Sequence, residues 1–119
     1  MQSINNLLNL FKILSDETRL RIIALLFIEE LCVCQLSGIL DVSQPNISKH
    51  LSKLRDVGFV KDERKDKFIF YRLERENKFL ISIIKNISDQ LEAYPQLFAD
   101  KKKMTSKEFY LSQCKPNVG

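Results

Sequence analysis

At 119 residues and 13.9 kDa the chain has room for one compact domain and not for two cores joined by a linker. A composition of 45% hydrophobic and 29% charged residues is that of a globular protein and excludes a disordered or fibrous chain. The net charge is +4, and residues 44–72 hold eight basic side chains (Lys49, Lys53, Arg55, Lys61, Arg64, Lys65, Lys67, Arg72) against four acidic ones (Asp56, Asp62, Glu63, Asp66), which points to a polyanion contact or to a solvated charged face.

Ile4, Leu7, Leu8, Phe11 and Leu14 recur at helical spacing and predict a first amphipathic helix ending near Ser15. Ser15 or Asp16 caps a second, with Leu20, Ile23, Leu26 and Phe27 as its apolar stripe. After a break at Glu29 and Glu30, Cys32 to Leu40 reads as a short third helix and Asp41–Val42 as a tight turn. A fourth helix is capped by Ser43, has Pro45 in its first turn, and runs to about Val57 with Gly58 as its carboxyl-terminal cap. The period then changes. Phe59–Arg64 and Lys67–Leu73 read as two strands joined at Lys65 and Asp66. From Arg75 the helical period returns, with Leu80, Ile83, Ile84, Ile87, Leu91 and Tyr94 on one side until Pro95. The remainder reads as a basic, loosely ordered tail, so the expected organisation is a domain over 1–97 and a flexible tail over 98–119. The fold class expected is mainly α with a small β-hairpin.

Short helix, turn, capped second helix is the layout that presents a helix to a DNA major groove. With Ile47, Leu51 and Leu54 inward, Ser48, Lys49, Ser52 and Lys53 point outward. Gln44 and Asn46 suit paired hydrogen bonds to adenine, Ser48 suits either base, and Lys49 and Lys53 reach phosphates. Taken alone, an ordinary surface helix would serve equally well. The hairpin that follows shifts the balance, because Arg64, Lys65 and Lys67 at its tip place cations where a neighbouring groove or backbone would lie, while Phe59, Phe68, Phe70 and Leu73 pack it against the helices. His50, the only histidine, is read as packed and hydrogen-bonded rather than as a link to the DNA face.

The segments LSDETRLRIIALL (14–26), ELCVCQL (30–36), SQPNISKHLSKLRDVGFV (43–60) and FIFYRL (68–73) together resemble the arsenical-resistance repressor family, also called ArsR/SmtB, over residues 4–95. The resemblance implies a winged helix-turn-helix homodimer that holds operator DNA until a metal or metalloid loosens it. It places Ser43, Gln44, Asn46, Ser48 and Lys49 toward the groove and Arg64, Lys65 and Lys67 in the wing contact. Two broad apolar stripes exceed what one small domain buries, so Leu7, Phe11 and Leu14 with Leu80, Ile84, Ile87 and Leu91 are the candidate two-fold interface, although some of them must serve the core.

Cys32 and Cys34 bracket Val33 at the opening of the helix-turn-helix. Two soft sulfurs suit thiophilic ions such as arsenite, antimonite, cadmium or lead. The arsenite-responsive members of the family carry the same box, often with a third cysteine where this chain has Ser37. Cys114 is either an ordinary tail thiol or a third metal ligand. Residues two apart on an α-helix are rotated by roughly 200°, so a shared ion would strain the first turn. The alternatives are thiol oxidation at Cys32 or Cys34 in place of metal binding, and a scaffold that uses the winged helix for protein contacts. One histidine and three glycines supply no nucleophile–base trio, zinc set or phosphate loop, so no enzyme and no catalytic cofactor are expected. The longest apolar run, Ile22–Ile28, is far short of a bilayer span, and no secretion signal follows Met1, so the expected location is the cytoplasm with no membrane partner.

Overall fold

The computed structural model describes residues 3–114. Helices α1 (Ile4–Leu14) and α2 (Glu17–Ile28) lead into a two-residue strand β1 (Leu31–Cys32), then α3 (Val33–Leu40) and α4 (Gln44–Asp56). Strands β2 (Val60–Lys65) and β3 (Phe68–Leu73) form the hairpin, and α5 (Lys78–Asp89), α6 (Pro95–Lys103) and α7 (Lys107–Ser112) complete the described chain.

Side chains set the helix starts. Ser3, Asp16, Ser43 and Asn77 each accept a hydrogen bond from the backbone N–H three residues on, satisfying a donor the helix itself leaves unpaired. At the far end of α4 the chain turns through Gly58 at φ 83°, and the N–H groups of Gly58 and Phe59 return to the carbonyls of Arg55 and Leu54. That left-handed turn admits glycine readily and aims the chain into β2.

The sheet is antiparallel in the order β1-β3-β2, with Cys32 opposite Phe70 and Val60 opposite Leu73. Asp66, at φ 59°, makes the hairpin turn. The third helix therefore begins one residue later than its sequence suggests, because Cys32 is spent in β1 and caps α3 rather than joining it.

The core forms where α2 lies against α4, α5 and β3. Ile22 through Leu26 are all buried, so α2 is covered on every side along its middle rather than on one stripe. Ile47, Leu51 and Leu54 are 0% exposed and anchor α4 to it. Leu80 and Ile84 are likewise 0% exposed and Leu91 is 6% exposed, which corrects their assignment to a two-fold interface. They face α2 of their own chain, and a side chain already packed there offers nothing to a second copy. Leu14 and Ile87 are half-buried against the same core, whereas Leu7 and Phe11 stand exposed.

Residues 98–114 also depart from the expected loose tail. Ala24, Leu91 and Leu97 pack α6 against α2, and Asp100 is buried in a two-pronged ion pair with Arg21. Helix α7 lies on α3, with the Tyr110 ring set directly over Gly38. A Cβ at Gly38 would sit inside that ring. Gly38→Ala gains about 1 kcal/mol in helix propensity yet must displace Tyr110, an overpacking cost of about 1–3 kcal/mol. The expected outcome is a net loss confined to α7, read as faster amide exchange over residues 107–112 with exchange in α4 unchanged.

Candidate functional site

On α4 the three buried leucine and isoleucine anchors fix the helix rotation, and the opposite face is left to solvent. Ser43, Gln44, Asn46, Ser48, Lys49 and Lys53 are all exposed along it. Ser43 Oγ accepts from the Asn46 N–H at 3.4 Å, so the cap holds the turn from which this face starts. Arg64, Lys65 and Lys67 are exposed at the tip of the hairpin.

The ion pairs sort the basic residues into two sets. Arg55 bonds Asp62 at 3.0 Å, Lys61 bonds Glu74 at 2.8 Å, Arg72 bonds Glu63 at 3.1 Å, and Lys65 pairs with Glu30. These pairs tie α4 to β2 and brace the hairpin. Among the described residues Lys49, Lys53, Arg64 and Lys67 have no ion-pair partner. The uncompensated charge thus lies on the outer face of α4 and at the tip of the hairpin.

His50 is half-buried on the flank of α4, with Nδ1 3.4 Å from Nη1 of Arg19. Burial pushes its pKa down, Asp16 opposes this, and Arg19 adds to the lowering. Arg19, which the sequence reading passed over, also donates from Nε to the Ile13 carbonyl at 3.0 Å, so one side chain joins the end of α1, α2 and α4.

The sulfurs are arranged differently from a simple two-cysteine box. Cys34, in the first turn of α3, is bonded to Cys114 across 80 residues of chain, with their Cα atoms 5.7 Å apart. Cys32 is a free, buried thiol. Burial pushes its pKa up, partly offset by the backbone N–H groups of Gln35 and Cys34. Gln44 Nε2, on the exposed first turn of α4, donates to Cys34 Sγ at 3.5 Å.

Gln35, 3% exposed, is the other residue that sequence reasoning missed. Its Oε1 accepts from the Cys32 N–H at 3.0 Å and its Nε2 donates to the Lys107 carbonyl at 3.4 Å, bridging the start of α3 to α7. Among the described residues no group of three histidine, cysteine or acidic side chains converges on one point. The donor chemistry is that of soft thiolates, which fits a thiophilic ion, but only with the Cys34–Cys114 bond reduced, because a disulfide sulfur has no thiolate to give.

Beside these sites α1 presents an apolar face. Ile4, Leu7, Leu8 and Phe11 are exposed, and Phe11 meets the exposed Phe79 of α5 edge-on at 6.3 Å between ring centres. A groove lined by Leu10, Ile13, Val57, Phe59 and Phe79 runs along it.

The pattern of bacterial regulatory proteins of the arsR family matches residues 16–62, the segment from the cap of α2 into the first half of β2. The arsenic resistance transcriptional regulator ArsR1 of Pseudomonas putida is 43% identical over 81 residues, covering 66% of this chain and 63% of that protein. The arsenical resistance operon repressor of Escherichia coli K12 is 54% identical over 67 residues, covering 56% of this chain and 57% of that protein. The chain thus spans about three-fifths of the length of these relatives. The crystal structure of the transcriptional repressor BigR from Xylella fastidiosa superposes with a TM-score of 0.61 at 35% identity, covering 71% of this chain and 87% of that one. These similar proteins are regulators and repressors, not enzymes, and BigR shares the winged helical architecture described above.

Proposed function

The chain belongs to the arsR family of bacterial regulatory proteins, and from that premise we propose that it is a cytoplasmic, homodimeric transcriptional repressor that binds operator DNA and is released by a thiophilic metal or metalloid, arsenite or antimonite first. Helix α4 enters the major groove with Asn46, Ser48 and Lys49 foremost, and Arg64 and Lys67 reach the flanking backbone. The exposed face of Leu7, Leu8, Phe11 and Phe79, with the half-buried Leu14 and Ile87 at its edge, packs against a second copy and sets the two recognition helices about one DNA turn apart. Among the described residues no helix is long and apolar enough to cross a membrane.

The observation that carries the reading is the contact between Gln44 and Cys34 at 3.5 Å. The sulfur that a soft ion would take lies one hydrogen bond from the first residue of the recognition helix. In the reduced chain Cys34 would hold such an ion with Cys32 or Cys114 as co-ligand, and its sulfur would no longer serve Gln44. Any ligand that prefers the altered turn draws the population away from the DNA-competent form. Cadmium and lead suit the same donors and form the second reading.

The test is fluorescence anisotropy of a labelled operator duplex with reduced protein, titrated separately with arsenite, antimonite, cadmium, lead and zinc. Arsenite or antimonite is expected to weaken binding by roughly 5- to 150-fold, and Cys34→Ser to abolish the response. Failure of every ion to release the duplex, or an unaltered response in both Cys32→Ser and Cys34→Ser, overturns the proposal.

A further inference from the structure

We propose that Cys34 and Cys114 are a peroxide-oxidisable dithiol whose closure fastens α7 across α3 and withdraws Cys34 from soft ions. Their Cα separation of 5.7 Å lies within the ordinary disulfide range, so the bond closes without moving the backbone. Helix α7 has six residues and none of them is fully buried. So short a helix is not stable alone. Its other moorings are the Tyr110 ring on Gly38, the Gln35 bond to the Lys107 carbonyl, and an ion pair of Lys107 with Glu29. The covalent link adds to these contacts and to the packing of Tyr110 against the core, and so tightens the docking of α7. It also holds the end of α7 beside Gln44, at the groove-facing end of α4.

The chemistry balances with hydrogen peroxide as the oxidant. Cys114 is half-buried and Cys34 is 9% exposed, so peroxide meets Cys114 first. The Cys114 thiolate attacks one peroxide oxygen, the O–O bond breaks, and one water leaves after protonation, with sulfenic acid on Cys114. The Cys34 sulfur then displaces that hydroxyl, which departs with the Cys34 proton as a second water while the S–S bond forms. The two thiols lose two electrons and peroxide gains them. Thiol reductants reverse the reaction. Insensitivity of the oxidised chain to soft ions rests on the ion-response reading above; the link and the docking of α7 do not.

Full-length protein is reduced, desalted and treated with hydrogen peroxide. The expected products are a loss of two hydrogen atoms in mass, a peptide joining Cys34 to Cys114, continued alkylation of Cys32 after denaturation, and slower amide exchange over 107–112 than in the reduced protein. Direct mass measurement should find one arsenite per chain before oxidation and none after, with dithiothreitol restoring uptake. Cys114→Ser should give no link and no peroxide-dependent change in exchange, and Cys32→Ser should form the same Cys34–Cys114 link with the same slowing of exchange in α7. A disulfide that includes Cys32, a bond between chains in place of the internal one, or a Cys34–Cys114 link that leaves exchange in α7 unchanged overturns the proposal. Failure of ions to release DNA from the reduced protein counts against the repressor reading alone, because the link and the exchange are read without DNA.

Discussion

Replacing Asp100 with alanine should destabilise the protein by about 3–5 kcal/mol, the cost of leaving a buried charge without its partner. Asp100 is 2% exposed and takes both prongs of Arg21, with Nε to Oδ2 and Nη2 to Oδ1 each 2.9 Å. Gln96 Nε2 donates to Oδ1 at 3.0 Å, and Arg21 Nη2 also reaches the Leu40 carbonyl at 3.2 Å. Without the carboxylate, the guanidinium in the middle of α2 keeps that single carbonyl. Leu40 closes α3 just before the turn into α4, so the pair positions the recognition helix as well as α6. Urea unfolding of Asp100→Ala measures the loss, and the double change Arg21→Met with Asp100→Leu, which removes both charges, should recover most of it. A loss below about 1 kcal/mol in Asp100→Ala would show that α6 lies outside the cooperative unit.

That pair marks where sequence reading stopped. The recognition helix was legible because its signals are local: Ser43 at the cap, Pro45 behind it, Ile47, Leu51 and Leu54 at helical spacing, and Gly58 where the chain must turn left-handed. The hairpin was legible for the same reason, in its β-branched and aromatic residues. Strand β1 was not, because two residues are too few to show an alternation. Helices α6 and α7 hide behind a lysine-rich composition, and the residues that seat them find partners far away in sequence. Asp100 pairs with Arg21 at a separation of 79 residues, Lys107 with Gln35 at 72, and Cys114 with Cys34 at 80. The helical period showed that Leu80, Ile84 and Leu91 must be buried, but a period carries no record of which surface buries them. Charge behaves alike. The sequence yields an excess of four positive charges between residues 44 and 72, and only the ion pairs say that Lys49, Lys53, Arg64 and Lys67 carry it.

This sorting makes the largest expected effect on DNA binding separable into two kinds. Asn46 is exposed in the first turn of α4, where a paired hydrogen bond to adenine is worth about 1–3 kcal/mol per base. The proposed dimer would make that contact twice, so Asn46→Ala is expected to weaken operator binding by about 2–6 kcal/mol, roughly 30- to 20,000-fold, while binding to a scrambled duplex barely changes. Lys49→Ala should instead weaken both duplexes alike and lower the slope of log K against log salt by about 2, one phosphate contact from each subunit of the proposed dimer. Arg55→Ala supplies the control. Its charge is already answered by Asp62 at 3.0 Å, so the salt slope should stay as it is despite the loss of a cation from the same helix. Equal losses on operator and scrambled duplex for Asn46→Ala would remove that residue from base reading. A slope change for Arg55→Ala as large as that for Lys49→Ala would show that net charge, not the unpaired cations, governs the contact with DNA.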